Sequence, residues 1–137
     1  MKKILNIVGA RPQFIKAFIT MKSLNNIKSS KNILLHTGQH FDYSMSKIFF
    51  KELNFQNTLI NINLKEKTNR LIRLAEIIKK LTNKIKTINP DLVIVYGDTD
   101  TTLAGSIISK RLNIKLMHIE AGLRSNVIEM PEEQNRI

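Results

Sequence analysis

The sequence predicts an α/β fold with a parallel sheet, and two observations carry that expectation. Short apolar, β-branched runs alternate along the chain with stretches whose apolar residues recur at helical spacing. Four of the five glycines, Gly9, Gly38, Gly97 and Gly122, fall at or just past the carboxyl ends of those runs. Strand and helix alternating through right-handed crossovers then place all four glycine turns on one edge of the sheet.

The first strand is 3–8 (KILNIV), ended by Gly9-Ala10-Arg11-Pro12. Proline at the first helical position lacks an N–H that would be unpaired anyway, so a helix starts here. Its apolar side is Phe14, Ile15, Phe18, Ile19 and Leu24. A second strand, 32–36 (NILLH), leads into Thr37-Gly38-Gln39-His40. From the N-cap candidate Asp42, residues Met45, Ile48, Phe49 and Leu53 recur at helical spacing. The segment 58–64 (TLININL) alternates as a short strand, although Asn61 and Asn63 are poor strand formers. Leu71, Leu74, Ala75, Ile78, Leu81, Ile85 and Ile88 mark one face of a long helix from about 68 to 88, closed by Asn89-Pro90. The run 92–96 (LVIVY) reads as the central buried strand. Gly97 allows a sharp turn, Asp98 or Thr99 caps the next helix, and Leu103, Ala104, Ile107 and Ile108 are that helix's apolar residues. The last strand, 115–119 (KLMHI), ends in Glu120-Ala121-Gly122-Leu123-Arg124. The whole is a Rossmann-like parallel sheet.

At 137 residues the chain suits one domain that can bury roughly two thirds of its unfolded surface. Hydrophobic residues make up 42%, with no low-complexity run and no repeat, so a packed core rather than disorder is expected. Lack of cysteine excludes disulfides, thiolate catalysis and Cys-based zinc sites, and fits a reducing cytoplasm. The apolar stretch after Met1-Lys2-Lys3 is interrupted by Asn6 and Arg11, too short for a secretory signal or a membrane span. A soluble, cytoplasmic protein without a membrane partner is expected. The net charge of +11 raises the question of nucleic acid, but Lys79, Lys80, Lys84 and Lys86 lie on one predicted helix with no aromatic interleaving to stack bases. They read as a solvated face, no nucleic-acid partner is expected, and an anionic small substrate fits the same charge. His36 and His40 flank a turn without nearby carboxylate ligands, so surface hydrogen bonding is expected of them rather than metal binding.

In open α/β sheets ligands lie beyond the carboxyl ends of the strands. That edge gathers Arg11, Gln39, His40, Asp98, Glu120 and Arg124. A strand, a glycine turn and a helix N-terminus make an anion site from free backbone N–H groups and the helix dipole, and Arg11 and Lys16 add two cations beside it. Neither a GxGxxG nor a Walker loop occurs, so a diphosphate reading rests on position and charge. Asp98 and Glu120 at one crevice can be driven to different proton affinities and divide acid and base roles. Helix caps and loop salt bridges use the same residues and are the structural alternative.

Five motifs in order, Gly9-Ala10-Arg11-Pro12-Gln13-Phe14-Ile15-Lys16, Thr37-Gly38-Gln39-His40, Tyr96-Gly97-Asp98-Thr99, His118-Ile119-Glu120-Ala121-Gly122-Leu123-Arg124 and Pro131-Glu132-Glu133-Gln134-Asn135-Arg136, resemble the non-hydrolysing UDP-N-acetylglucosamine 2-epimerases. The resemblance runs the length of the chain. It implies the N-terminal half of a GT-B type two-domain fold, residues 1–137 forming a Rossmann-like domain and a C-terminal nucleotide-binding domain lying outside the chain. It implies interconversion of UDP-GlcNAc and UDP-ManNAc by inversion at C2, through elimination of UDP and its re-addition to a 2-acetamidoglucal. Asp98, Glu120 and Glu132 match the family's three carboxylates in this half and would share the proton transfers. Arg11 and Lys16 match positions that meet the UDP moiety, with Arg124 beside them. Gln39 and His40 match part of a second UDP-GlcNAc site of some bacterial members, in which Asp42 replaces a different polar residue. Gln13 stands where many relatives have Glu. No metal, nicotinamide or other cofactor is implied, and a homodimer is expected of the complete enzyme.

Two other readings use some of the same residues. Another GT-B enzyme, a glycosyltransferase or a hydrolysing epimerase, would share the phosphate turn without needing Asp98, Glu120 and Glu132 together. A non-catalytic nucleotide-sugar-binding domain needs the glycine turns and Arg11 but no carboxylate trio.

Overall fold

The computed structural model describes residues 1–38, 58–62, 64 and 69–137. The elements are β1 (Lys2–Val8), α1 (Arg11–Asn25), β2 (Ser30–His36), β3 (Thr58–Asn61), α2 (Arg70–Ile88), β4 (Leu92–Tyr96), α3 (Asp100–Arg111), β5 (Lys115–Ile119) and the single turn α4 (Pro131–Gln134). The five strands are all parallel, in the order β3-β2-β1-β4-β5. Pairing runs from Ile4↔Leu92 to Ile7↔Val95 between β1 and β4, and from Leu92↔Lys115 to Tyr96↔Ile119 between β4 and β5. The carboxyl ends at Val8, His36, Tyr96 and Ile119 therefore share one edge, as a Rossmann-like sheet requires. Every predicted strand is present, and β3 stops at Asn61. The helix expected from Asp42, with Gln39 and His40, lies outside the described residues.

Period-two alternation sends the side chains of β1 and β4 into two separate cores. On one face Leu5, Ile7, Ile33, Leu35, Val93 and Val95 meet Ile77, Leu81 and Ile85 of α2 and Ala104 and Ile108 of α3. On the other, Ile4, Val8, Leu34, Ile94 and Tyr96 meet Ala17 and Met21 of α1. Fully burying each aliphatic side chain contributes about 1.5–3 kcal/mol, which is what holds the helices against the sheet.

Two helix faces differ from the sequence reading. In α1 the buried stripe is Gln13, Ala17 and Met21, spaced by four, while Ile15 and Ile19 point to solvent. Ala17 is small enough to bring the helix close to the sheet, and the buried Gln13 amide is bonded to backbone groups and threonine hydroxyls. In α2 the stripe is Ile77, Leu81 and Ile85; Ile77 was absent from the expected face, and Leu71 is 75% exposed in the first turn. That helix ends as expected at Asn89, whose left-handed φ of 49° turns the chain while its N–H donates to the Ile85 carbonyl at 2.8 Å. Lys79, Lys84 and Lys86 are exposed along it and Lys80 is half-buried.

His36 also departs from expectation. It is buried, not a surface group, with its ring centroid 4.7 Å from that of Phe14. Burial lowers its pKa to about 4, so it is neutral at physiological pH. No described helix is long and apolar enough to cross a membrane.

Candidate functional site

The site is built around the turn that leaves β4. Gly97 adopts φ +63°, a region open to glycine, and the chain reverses there into α3. Thr99 caps α3: its Oγ1 accepts from the Thr102 N–H at 3.4 Å, and Thr102 Oγ1 accepts from the Thr99 N–H at 3.2 Å. Asp98 is thereby released from capping, and its carboxylate pairs with the Arg136 guanidinium. Asn135 ties the same turn to the C-terminal segment, donating to the Asp98 carbonyl at 2.8 Å.

Gln13 holds this turn from the other side. Its Oε1 accepts from the Gly9 and Ala10 N–H groups at 2.7 and 3.2 Å. Its Nε2 donates to the Tyr96 carbonyl at 2.6 Å and lies 3.0 Å from Thr99 Oγ1. One buried amide thus joins the turn after β1 to the turn after β4. The N–H groups of Gly9 and Ala10, expected from sequence to be free for an anion, are engaged by Gln13. The exposed Arg11 side chain stands at this corner.

Glu120, at the end of β5, has φ +66°, a conformation costing on the order of 1–3 kcal/mol for a residue with a Cβ. Its carboxylate pairs with Lys16 of α1. Lys16 therefore faces a carboxylate where the sequence alone suggested a phosphate. His118 braces the neighbouring turn, with its Nε2 2.6 Å from the Gly97 carbonyl, so that nitrogen carries the proton. Arg124 does not join this group; it is exposed and donates to the Ala121 and Leu123 carbonyls of its own loop at 2.7 and 2.8 Å.

A cleft of about 240 Å³ opens beside Asp98, lined by Arg70, Arg73, Asp100, Glu132 and Asn135. Asp100 is 4% exposed and receives Arg70 at 2.9 Å and Asn135 at 3.2 Å, with Arg73 at 3.9 Å. Burial pushes the Asp100 carboxyl up, but the hydrogen bonds from Arg70 and Asn135 and the two guanidinium charges outweigh it and leave the pKa below its usual value. The adjacent glutamates of α4 have opposite surroundings. Glu132 is exposed at the cleft. Glu133 is buried, accepting from the Ser125 N–H at 2.8 Å and Oγ at 3.1 Å, bonds that lower its pKa and fold the C-terminal segment on itself.

A family model described as UDP-N-acetylglucosamine 2-epimerase matches residues 22–137. The chain belongs to this family. It is 45% identical over 135 residues to a UDP-N-acetylglucosamine 2-epimerase homolog of Methanococcus maripaludis, covering 98% of this chain and 37% of the relative. It is 42% identical to the UDP-2,3-diacetamido-2,3-dideoxy-D-glucuronate 2-epimerase of Pseudomonas aeruginosa, covering 98% and 38%. Among solved structures it superposes on the UDP-GlcNAc 2-epimerase of Methanocaldococcus jannaschii, crystallised with UDP-GlcNAc and UDP, with a TM-score of 0.88 and 36% identity over 98% of this chain and 36% of that one. The chain thus spans just over a third of the length of these epimerases and has the Rossmann-like α/β architecture of one half of a GT-B fold.

Within this chain the expected carboxylates divide into a pair and a single group. Asp98 and Glu132 share the cleft, whereas Glu120 sits one strand over with Lys16. Asp100, Arg70, Arg73 and Asn135 were missed in the sequence; the spacing of Asp98 and Asp100 straddling a cap was a signal, because only one of the two can follow the helix inward. Gln39 and His40 lie outside the described residues. Among those described, no group of three His, Cys, Asp or Glu is placed to hold a metal ion.

Proposed function

We propose that this chain supplies the N-terminal, carboxylate-bearing half of a UDP-sugar 2-epimerase site. The observation that carries the reading is the placement of Asp98 and Glu120 at the carboxyl ends of adjacent paired strands, each paired with a cation. In the reaction, C2 of a UDP-linked 2-acetamido sugar loses its proton to a carboxylate while the C1–O bond to UDP breaks, leaving a 2-acetamidoglucal. UDP re-adds at C1 as a proton is delivered to the opposite face of C2. Glu120, Asp98 and Glu132 share those transfers, and Arg11 and Lys16 meet the diphosphate. For Lys16 this means leaving Glu120 as the phosphate arrives.

The sugar is UDP-GlcNAc on the weight of the family. Relatives at 45% and 42% identity carry names with different sugars, so a UDP-linked 2,3-diacetamido uronate is the second substrate to assay. Residues 1–137 act as an N-terminal domain whose catalytic cleft is completed by a C-terminal domain, the complete enzyme being a cytoplasmic homodimer that uses no metal or organic cofactor. Without the opposing wall, water is not excluded and the nucleotide is not held; loss of such positioning removes about 7–11 kcal/mol of catalysis. The chain is incubated with UDP-GlcNAc in deuterated water, alone and with a co-expressed C-terminal half, and C2 exchange and UDP-ManNAc are followed by NMR. Exchange only in the reconstituted pair is expected. Exchange in neither, with UDP bound, favours a binding domain, and hydrolysis to UDP and free sugar favours a hydrolysing enzyme.

A further inference from the structure

Parallel topology sorts the charges of this chain as well as its glycine turns. Each helix runs back against the strands, so the carboxyl ends of α1, α2 and α3 finish at the edge where the strands begin, opposite the cleft. The strand starts bring Lys2, Lys3, Lys31 and Lys115 to that edge, and the loop between α1 and β2 adds Lys28. The last helical turns add Lys22, Lys86, Lys110 and Arg111. All nine residues are exposed. Among the described residues Asp91 is the one acid at this edge, and Lys2 pairs with it at 2.9 Å. Asp98, Asp100, Glu120, Glu132 and Glu133 stand at the opposite end.

Lysines at helix ends have an ordinary use, since they answer the partial negative charge, roughly half a unit, of each helix carboxyl terminus. Three helix ends leave most of the nine cations unanswered. Lys28, Lys31 and Lys115 lie outside the helices altogether, and none of them is in an ion pair among the described residues. The result is a strongly positive pole at one end of the sheet, assembled from residues scattered between positions 2 and 115.

We propose that this amino edge of the sheet docks on an anionic lipid bilayer, with the cleft facing away from the membrane. Eight of the nine cations are lysines, compact charges on flexible stems that can follow a fluid layer of phosphates, whereas the arginine fork that reads base edges occurs once. No described aromatic residue stands at the edge to stack a base. Ile27, 51% exposed beside Lys28, adds an apolar tip of the kind that settles at a headgroup boundary. The expectation of no membrane partner rested on the lack of a membrane span, and attachment by charge to a surface needs none. The inference concerns where the chain sits and stands or falls separately from the reaction proposed above.

The test is sedimentation of the chain with vesicles of phosphatidylcholine, alone or with ~30% phosphatidylglycerol, at low salt and at ~0.5 M salt, where charges are screened within a few ångströms. Binding to the anionic vesicles at low salt only is expected. Lys28→Glu with Lys31→Glu should weaken it at least about tenfold, while Arg11→Glu with Lys79→Glu, the same change in net charge away from the edge, should stay within about twofold. Amide NMR spectra check the fold, and Lys28→Gln with Lys31→Gln, expected to act in the same direction, replaces the first pair should that pair unfold. Spin-labelled lipid should broaden the amides of Lys28, Lys31 and Lys115 and spare those of Gly97 and Glu120. Equal weakening by the two reversed pairs, or broadening over the whole surface, would leave net charge alone as the cause and overturn the proposal. No binding to the anionic vesicles, or tighter binding of a DNA duplex or of polyglutamate at the same salt, would overturn it as well.

Discussion

The Gln13 side-chain amide reaches the Tyr96 carbonyl at 2.6 Å, tying the start of α1 to the end of β4 across 83 residues of sequence. Its oxygen is at the same time filled by the N–H groups of Gly9 and Ala10, so both ends of the amide are used.

Gln13→Glu should make the chain pH-sensitive. A carboxylate can accept from Gly9 and Ala10 but cannot donate to Tyr96, so the folded state favours the protonated acid and raises its pKa above the unfolded value of about 4.3. The sign follows: the variant keeps near-parental stability below that value and loses it as pH rises toward the raised folded pKa. The loss is on the order of 1–3 kcal/mol, the cost of a buried polar contact turned unfavourable. Thermal melts at acid and neutral pH check it, and a variant equally stable at both removes the donor role assigned to Nε2.

Gly9→Ala and Gly122→Ala should differ sharply although both glycines follow strands. A Cβ on Gly9 would lie 2.2 Å from Thr101 Oγ1 and 2.8 Å from Thr37 Oγ1, two atoms that are themselves 2.7 Å apart in a buried hydrogen bond. Overpacking there is expected to cost about 3 kcal/mol or more. Nothing lies within 4 Å of a Cβ on Gly122, so that substitution should stay within about 0.5 kcal/mol. Chemical denaturation of the two variants gives the comparison directly.

Asp100→Asn should lower stability at neutral pH and flatten its decline in acid. The Asp100 carboxyl has a lowered folded pKa, so its contribution is present above the unfolded value of about 3.9 and disappears as pH falls through the folded one. At pH 7 the variant should lose about 2 kcal/mol, less than for a fully enclosed pair because Arg70 keeps 39% exposure. Melting curves from pH 7 to pH 2 should converge for parent and variant at the acid end. Parallel curves would mean that the pair contributes nothing.

In the reconstituted enzyme, Asp98→Asn, Glu120→Gln and Glu132→Gln should each slow C2 exchange by ~10²–10⁴-fold while UDP still binds. Undiminished exchange in any one of them takes that residue out of the proton transfers. Arg11→Ala should instead weaken UDP binding, by about tenfold for a lost charge-assisted contact, and reduce UDP-induced NMR shifts around Arg11 and Lys16. Equal shifts in parent and variant would move the diphosphate away from this turn.

The alternation of β-branched runs and helical spacing was enough to place all five strands; in β1, β2 and β4 burial on both faces forces a recognisable apolar run. The glycine turns likewise put Asp98 and Glu120 on one edge, since strand polarity alone decides that. Helix faces were less legible: Ile15 and Leu71 are as apolar as Met21 and Ile77, and only the approach of each helix to the sheet selects between them. Partnership was not legible at all. Whether Lys16 meets a phosphate or Glu120, whether Gly9 offers its N–H to a ligand or to Gln13, and which of Glu132 and Glu133 faces the cleft depend on atoms brought together from distant parts of the chain. Sequence by itself determined which chemical groups stand at the strand ends; the tertiary structure decided how they pair, because ion pairs and hydrogen bonds are set by distances of a few ångströms that no local pattern encodes.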